Sequence, residues 1–182
     1  MRIKTTYLFP AFIALLFMAY TRDTSAQDRL SGTEQQIVAA VEAHKNAAID
    51  FLERIVNMNS GSMNFDGVRR VGDAFDAELA NMGFSIEWID GESFGRAGHL
   101  FATRGTKGPH FLLVGHLDTV FELDSPFQSF ERIDENKAVG PGIIDMKGGD
   151  VVMLEAIRAL NVAGVLDHMT ITVALIGDEE SS

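Results

Sequence analysis

Apolar residues recur with the period of an amphipathic helix in three stretches of this 182-residue chain. The pattern predicts helices over residues 33–58, 65–82 and 146–162. Thr33 is a suitable N-cap for the first helix, and Gly83 is a suitable C-terminal stop for the second.

Short apolar segments between these helices predict strands. Phe84, Ile86 and Trp88 alternate with polar residues, as in a half-buried strand. Further apolar runs predict strands at residues 100–103, 111–114, 130–133 and 169–176. The continuous run at 111–114 predicts burial on both faces. Strands separated by helices predict an α/β fold, with a mixed, mainly parallel sheet flanked by helices.

The first 26 residues follow a different pattern. Arg2 and Lys4 form a positive end, residues 5–21 carry no charge, and Thr24-Ser25-Ala26 supplies small residues for cleavage. This layout predicts a secretory signal peptide, because the apolar core is short for a membrane span. We therefore expect a periplasmic or secreted protein with residues 27–182 as its mature part and no membrane association after cleavage. An uncleaved anchor is the alternative.

Composition limits the kinds of binding and catalysis that the chain can support. The chain has 15 basic and 26 acidic residues, a formal net charge of -11, which argues against nucleic-acid binding. It has no cysteine, which excludes disulfides, Cys-ligated zinc, iron–sulfur clusters and thiol catalysis. Any metal ion must therefore be held by histidine and carboxylates.

Three short motifs carry the candidate chemistry. The stretches at 115–120 (GHLDTV) and 177–180 (GDEE) directly follow predicted buried strands, and the stretch at 140–149 (GPGIIDMKGG) leads into a helix. Ligand sites of open α/β sheets lie beyond the carboxyl ends of the strands. We therefore expect these motifs to converge, although they are far apart in sequence.

Each motif alone leaves alternatives open. On extended backbone His116 and Asp118 point to one side, so the carboxylate can orient the imidazole, but a turn hydrogen bond is the alternative. Asp145 lies among glycines, which allow the backbone to approach a bound metal ion or substrate; a helix cap at Asp145 is the alternative. Adjacent Glu179 and Glu180 point to opposite sides, so one can bind metal while the other handles protons; a solvated acidic loop is the alternative.

Together the three motifs resemble those of the zinc-dependent exopeptidase and aminoacylase family. This family includes bacterial glutamate carboxypeptidases, acetylornithine deacetylase and succinyl-diaminopimelate desuccinylase. The segment Asn59-Ser60-Gly61-Ser62 is similar to the glutamate carboxypeptidase branch. The resemblance extends from about residue 35 to the last residue, and the combination of motifs is more specific than any single one.

The resemblance implies a role for each candidate residue. His116 would be a zinc ligand oriented by Asp118, Asp145 would bridge two zinc ions, and Glu180 would bind the second ion. Glu179 would be the general base that takes a proton from a water activated by both ions. The implied cofactor is two Zn²⁺, with Co²⁺ or Mn²⁺ as alternatives.

The implied function is metal-dependent hydrolysis of an amide bond. The first expectation is a carboxypeptidase that releases a C-terminal residue such as glutamate from a peptide or an N-acyl amino acid. An aminoacylase, dipeptidase or deacetylase of the same family is the alternative, and a non-catalytic exported fragment or binding domain is the alternative of another class. Family members carry further ligands and a lid domain that forms homodimers. We therefore expect residues 27–182 to be the N-terminal portion of the catalytic domain, incomplete at the C-terminus and inactive alone.

Overall fold

The computed structural model describes residues 30–181. Within the described residues, the strands and the candidate site belong to one compact unit that begins at Gln36. The predicted signal peptide at 1–26 lies outside the described residues. Among the helices of the described part, none is long and apolar enough to cross a membrane.

The three predicted helices are present. They are α1 (Gly32–Val56), α2 (Phe65–Asn81) and α3 (Gly148–Val162). Asn64 caps α2, because its side chain accepts a hydrogen bond from the amide of Gly67. Helix α3 begins two residues later than predicted, since the preceding segment is kinked and non-helical at Asp145 and Met146.

Four strands form a mixed sheet, and two others form a separate hairpin. The strands are β1 (Ser85–Asp90), β2 (Gly98–Arg104), β3 (His110–His116), β4 (Glu131–Asp134), β5 (Lys137–Val139) and β6 (Thr170–Ile176). The larger sheet has the order β1-β2-β6-β3, and the hairpin pairs β4 with β5. These bounds agree closely with the predicted strands, apart from β5, which the pattern did not predict.

The predicted mixed sheet is confirmed, but parallel pairing contributes less to it than expected. β6 runs parallel to β3, whereas the β1–β2 and β2–β6 pairings are antiparallel. A short connection joins β1 to β2, and such connections allow antiparallel pairing, while parallel neighbours need a long crossover. Helix α3 lies within the crossover between β3 and β6.

The hydrophobic core lies between the helices and one face of the sheet. Phe75 of α2 and Leu154 of α3 belong to the same buried cluster as Leu100 and Val173 of the central strands. Alternate residues of a strand point to one face, and this explains why every second residue of β6 from Ile171 to Leu175 joins the cluster.

The expectation that the run at 111–114 is buried on both faces is wrong. Leu112 is 62% exposed, and Phe111 and Val114 are also exposed. The physical reason is position: β3 is an edge strand of the described sheet, with β6 as its one neighbour there. β6, which has a neighbouring strand on each side, is by contrast largely buried.

Candidate metal centre

The carboxyl ends of β3 and β6 place two of the motifs side by side. His116, the last residue of β3, pairs with Ile176, and the Leu117 amide donates to the Ile176 carbonyl at 2.7 Å. Glu179 and Glu180 follow β6 in a short turn. As a result His116, Glu179 and Glu180 each offer one ligand atom, and these atoms lie within 4.8 Å of one another.

Asp145 reaches the same histidine from the third motif. Its Oδ1 lies 3.0 Å from Nε2 of His116, and its side chain is 75% exposed. Gly142, with φ of 74°, turns the chain into this segment, and a Cβ there would lie 2.6 Å from Cγ2 of Thr119. The alternative that Asp145 caps the helix is not observed, since Lys147 occupies the N-cap position of α3.

Asp118 lies beneath these groups and is fully buried. Its Oδ2 accepts hydrogen bonds from the Ser62 hydroxyl at 2.6 Å and from the Glu180 amide at 3.1 Å. Its Oδ1 accepts from the Glu179 amide at 3.1 Å and lies 3.5 Å from Nδ1 of His116. One carboxylate therefore contacts both strand-end motifs and the segment after α1.

The imidazole of His116 is held between two aspartates. Nδ1 lies 3.1 Å from the carbonyl oxygen of Asp118, which is nearer than the carboxylate of the same residue. Nδ1 can donate its proton to this carbonyl, which leaves Nε2, the nitrogen that faces Asp145, as the ring atom that a metal ion would bind. The orienting contact expected from the Asp118 side chain is thus shared with its backbone.

The electrostatics reflect a group of carboxylates around one imidazole. Burial lowers the pKa of His116, but hydrogen bonds with Asp118 and Asp145 outweigh it and raise the pKa to about 9. Burial raises the pKa of Asp118, but hydrogen bonds with His116, Ser62 and the Glu180 amide outweigh it, so that pKa is lowered. Burial and the neighbouring Asp145 raise the pKa of Glu180. A bound divalent cation would relieve the repulsion among these carboxylates.

The donor set fits a hard or borderline divalent cation. Imidazole nitrogen and carboxylate oxygen are the ligands that catalytic zinc uses in proteins, and no thiolate is needed. His116, Glu179 and Glu180 form the compact group, and Asp145 is adjacent to it through His116.

Two buried residues of the site were not predicted. The Ser62 hydroxyl contacts Asp118, and the Lys147 Nζ donates to the carbonyls of Ile55 and Met58 at 2.9 Å each. Burial lowers the pKa of Lys147 to about 8. Both lie in stretches that the sequence marks as unusual, but nothing in the pattern shows which partners they meet.

Asp150 of α3 is a third buried group beside the site. Its carboxylate lies against Gly115, where a Cβ would collide with Oδ1. Burial raises the pKa of Asp150 to about 7. An acidic residue on the inward face of a predicted helix, next to Val151, is the sequence signal that could have revealed it.

A cavity of about 440 Å³ adjoins the carboxylates of Asp145 and Glu180. Most of its lining is apolar: Val120, Phe121, Phe127, Val139, Ile143 and Ile144. Among the described residues that line it, the charged ones are the two carboxylates. An uncharged, apolar group fits this environment better than an anionic one.

His116 and the neighbouring carboxylates therefore lie together at the carboxyl edge of the sheet, where α/β folds place their ligand sites. Residues 112–182, which include all three motifs, match the model of Peptidase family M20/M25/M40. The resemblance predicted from the three motifs is confirmed.

Two relatives support this resemblance. Carboxypeptidase G2 of Pseudomonas sp. (strain RS-16) is 33% identical over 172 residues, which are 93% of this chain and 40% of that protein. Succinyl-diaminopimelate desuccinylase of Methylococcus capsulatus is 32% identical over 110 residues, 57% of this chain and 28% of that protein.

The fold also matches solved structures. The di-peptidase Dug1p from Saccharomyces cerevisiae superposes with a TM-score of 0.64 at 18% identity, covering 81% of this chain and 35% of that chain. This likeness confirms the α/β fold with its sheet flanked by helices. The chain spans about two fifths of the length of carboxypeptidase G2 and about a third of Dug1p.

Proposed function

We propose that this chain supplies metal-binding and catalytic residues of an amide hydrolase, a carboxypeptidase that releases a C-terminal residue such as glutamate. The observation that carries the proposal is the cluster of ligand atoms from His116, Glu179 and Glu180 within 4.8 Å, with Asp145 in contact with the same histidine. Similarity to carboxypeptidase G2 over 93% of the chain favours this activity within the family.

Each residue has a distinct role in this proposal. His116, Asp145 and Glu180 hold two divalent ions, Zn²⁺ being the first expectation. Such ions lower the pKa of a water and polarise a carbonyl when bound. Glu179 accepts the proton of the attacking water and passes it to the leaving amine, so that the carbon–oxygen bond forms as the carbon–nitrogen bond breaks. Asp118 holds His116 and the amides of Glu179 and Glu180 in place.

The apolar cavity favours a substrate with an apolar acyl group next to the scissile amide. Its wall includes Phe121 and Phe127 as well as the carboxylates of Asp145 and Glu180, so a group bound there adjoins the reacting centre. Negative lining charge disfavours the carboxylates of a released glutamate at this place. The substrate class is therefore a peptide or N-acyl amino acid with its acyl side in the cavity.

Zinc titration of the purified chain tests the metal-binding part of the proposal. We expect the wild-type chain to bind zinc at least tenfold more tightly than His116→Ala, since removal of a ligand or its support costs about this much. Equal affinities would contradict the proposal and favour a non-catalytic exported domain. The stoichiometry, one ion or two, tests the binuclear arrangement separately.

The base is tested with Glu179→Gln, which keeps the size of the side chain and removes its basicity. The assay requires a form of the protein that hydrolyses N-benzoylglutamate. In that form we expect Glu179→Gln to retain zinc and its kcat to fall at least about 10²-fold. Similar turnover by wild type and variant would assign the base elsewhere.

Export is part of the proposal. The charge pattern of the first 26 residues supports cleavage after Ala26 and a periplasmic or secreted location. Expression with the native N-terminus, followed by N-terminal sequencing of the exported product, is expected to begin at Gln27. An uncleaved product held in the membrane would support the anchor alternative.

A further inference from the structure

We propose that Ser62 is a positioning residue for the metal centre and acts through Asp118. The identity of that centre rests on the proposed function, but the contact itself does not. The hydroxyl donates to Oδ2 of Asp118 at 2.6 Å, and the side chains of both residues are buried. A short hydrogen bond to an ionised carboxylate in a buried site is stronger than a neutral one.

The carboxylate that Ser62 holds is also the acceptor for the turn that carries the ligands. Oδ2 accepts from Ser62 and from the Glu180 amide, while Oδ1 accepts from the Glu179 amide and faces His116. Because all these groups share one carboxylate, its orientation sets the positions of the imidazole and of the 179–180 backbone together. Ser62 supplies the side-chain hydroxyl among the donors to the Asp118 carboxylate.

The backbone that presents Ser62 is itself fixed. The Thr119 amide donates to the Ser60 carbonyl at 2.9 Å, and the Ser62 amide donates to the Thr119 carbonyl at 3.2 Å. These bonds place Gly61 beside Thr119 in a parallel bridge. Gly61 also packs closely on Glu122, since a Cβ would lie 2.5 Å from Oε2 of that residue. The hydroxyl is therefore delivered by paired backbone next to Asp118.

Ser60 provides a matched control in the same segment. It is 1% exposed and Ser62 is 2% exposed, so the two serines are equally buried. The described residues offer the Ser60 hydroxyl no hydrogen-bond partner. Alanine at either position removes the same single oxygen from the interior, but only Ser62→Ala removes a donor to Asp118.

Amide hydrogen exchange in the metal-free chain tests the contact independently of any metal. We expect the Glu180 amide to exchange about tenfold faster in Ser62→Ala than in wild type, which is the loss expected when a hydrogen bond to a charged group is weakened. Ser60→Ala is expected to leave that rate unchanged. Equal rates in wild type and Ser62→Ala, or equal acceleration in both variants, would overturn the proposal.

Zinc affinity, measured by competition with a chelator, tests the consequence for the centre. We expect Ser62→Ala to bind zinc about tenfold more weakly, Ser60→Ala to bind as wild type, and Ser62→Thr, which keeps the hydroxyl, to restore the affinity. A purely structural serine would lower the melting temperature and leave zinc affinity unchanged, and this result would overturn the positioning role.

Amide hydrogen exchange and zinc affinity together distinguish a failure of the proposed function from a failure of the role proposed for Ser62. If wild type binds zinc no more tightly than His116→Ala, the proposed function fails, and the exchange rates still decide whether Ser62 holds Asp118 and the turn. If zinc binds as proposed and Ser62→Ala has no effect on either measurement, the proposed function stands and the role of Ser62 is wrong.

Discussion

Asp118 and Asp145 approach the same histidine from opposite sides, yet they belong to different kinds of structure. Asp118 is fully buried and accepts hydrogen bonds from Ser62 and from the backbone amides of Glu179 and Glu180. Asp145 has a side chain that is 75% exposed and lies against Nε2 of His116. One aspartate is part of the protein interior, and the other lies open to water.

The difference teaches that the centre has a supporting layer and a ligand layer. The supporting layer consists of buried groups whose positions folding determines, since each is tied to two or more chain segments. The ligand layer contains the exposed or half-exposed carboxylates of Asp145, Glu179 and Glu180, which can adjust to an ion, while the buried His116 belongs to both layers. Substitutions of the supporting groups and of His116 should alter the stability of the metal-free chain, whereas substitutions of the ligand carboxylates should alter metal affinity alone.

The largest effect is expected for Asp118→Asn. The amide group is nearly isosteric but places a donor where backbone amides and a hydroxyl already donate, and it leaves the His116 imidazolium without its buried partner. Breaking one side of a buried pair costs about 3–5 kcal/mol. Urea denaturation with EDTA present measures the free energy of unfolding. A loss below about 1 kcal/mol would show that Asp118 is not part of the supporting layer.

The second largest effect is the pH dependence that His116 contributes to the free energy of unfolding. Its pKa is raised from 6.5 to about 9 in the folded chain, so the charged form is favoured by folding. The stabilisation is fully present below pH 6.5 and is lost as the pH rises to 9, with a total of about 3 kcal/mol. The difference in unfolding free energy between wild type and His116→Asn should therefore shrink over this window.

Using that difference removes the contributions of groups that do not interact with His116. The pKa of Lys147 is lowered to about 8, so its own effect on stability has the opposite sign above pH 8. That effect is present in both chains and cancels to first order. A difference that stays constant between pH 6.5 and 9 would contradict a charged His116 in the folded state.

A smaller loss is expected for Lys147→Met. Lys147 lies two residues from Asp145 but belongs to the supporting layer, because its buried Nζ holds the carbonyls of Ile55 and Met58 at the end of α1. Leaving these buried acceptors without their donor should cost about 2 kcal/mol in chemical denaturation. Lys45→Met is the control, since Lys45 is exposed and should change stability by less than about 0.5 kcal/mol. Equal effects would place Lys147 outside the supporting layer.

The convergence of the candidate ligands was largely predictable from sequence, because strand ends and acidic motifs are visible in the sequence. His116, Glu179 and Glu180 each lie at or just after a predicted strand, and parallel pairing of β3 with β6 brings those ends together. Asp145 was found from its glycine-rich turn. Helical and strand periods likewise gave α1, α2 and β6 to within a few residues.

Apart from Asp118, the supporting layer was not predictable in the same way. Ser62 meets Asp118 through backbone pairing of a short segment with residue 119, and no periodic pattern marks such a bridge. A lysine that precedes two glycines is usually an exposed residue, and only the fold shows that Lys147 points into the interior. An apolar run also fails to distinguish an edge strand such as β3 from a buried one, because both satisfy the same pattern.

The smallest stability effect is expected for Asp145→Asn, and it is the sharpest test of the two layers. In the metal-free chain above pH 9, where His116 is largely neutral, an exposed carboxylate contributes little, so the free energy of unfolding should change by less than about 0.5 kcal/mol. Zinc affinity should nevertheless fall by at least about tenfold, because an amide is a poorer ligand than a carboxylate. If Asp145→Asn destabilises the metal-free chain as much as Asp118→Asn does, then side-chain exposure does not distinguish the supporting residues from the ligands. Unchanged stability with weakened zinc binding is the outcome that only a two-layer centre produces.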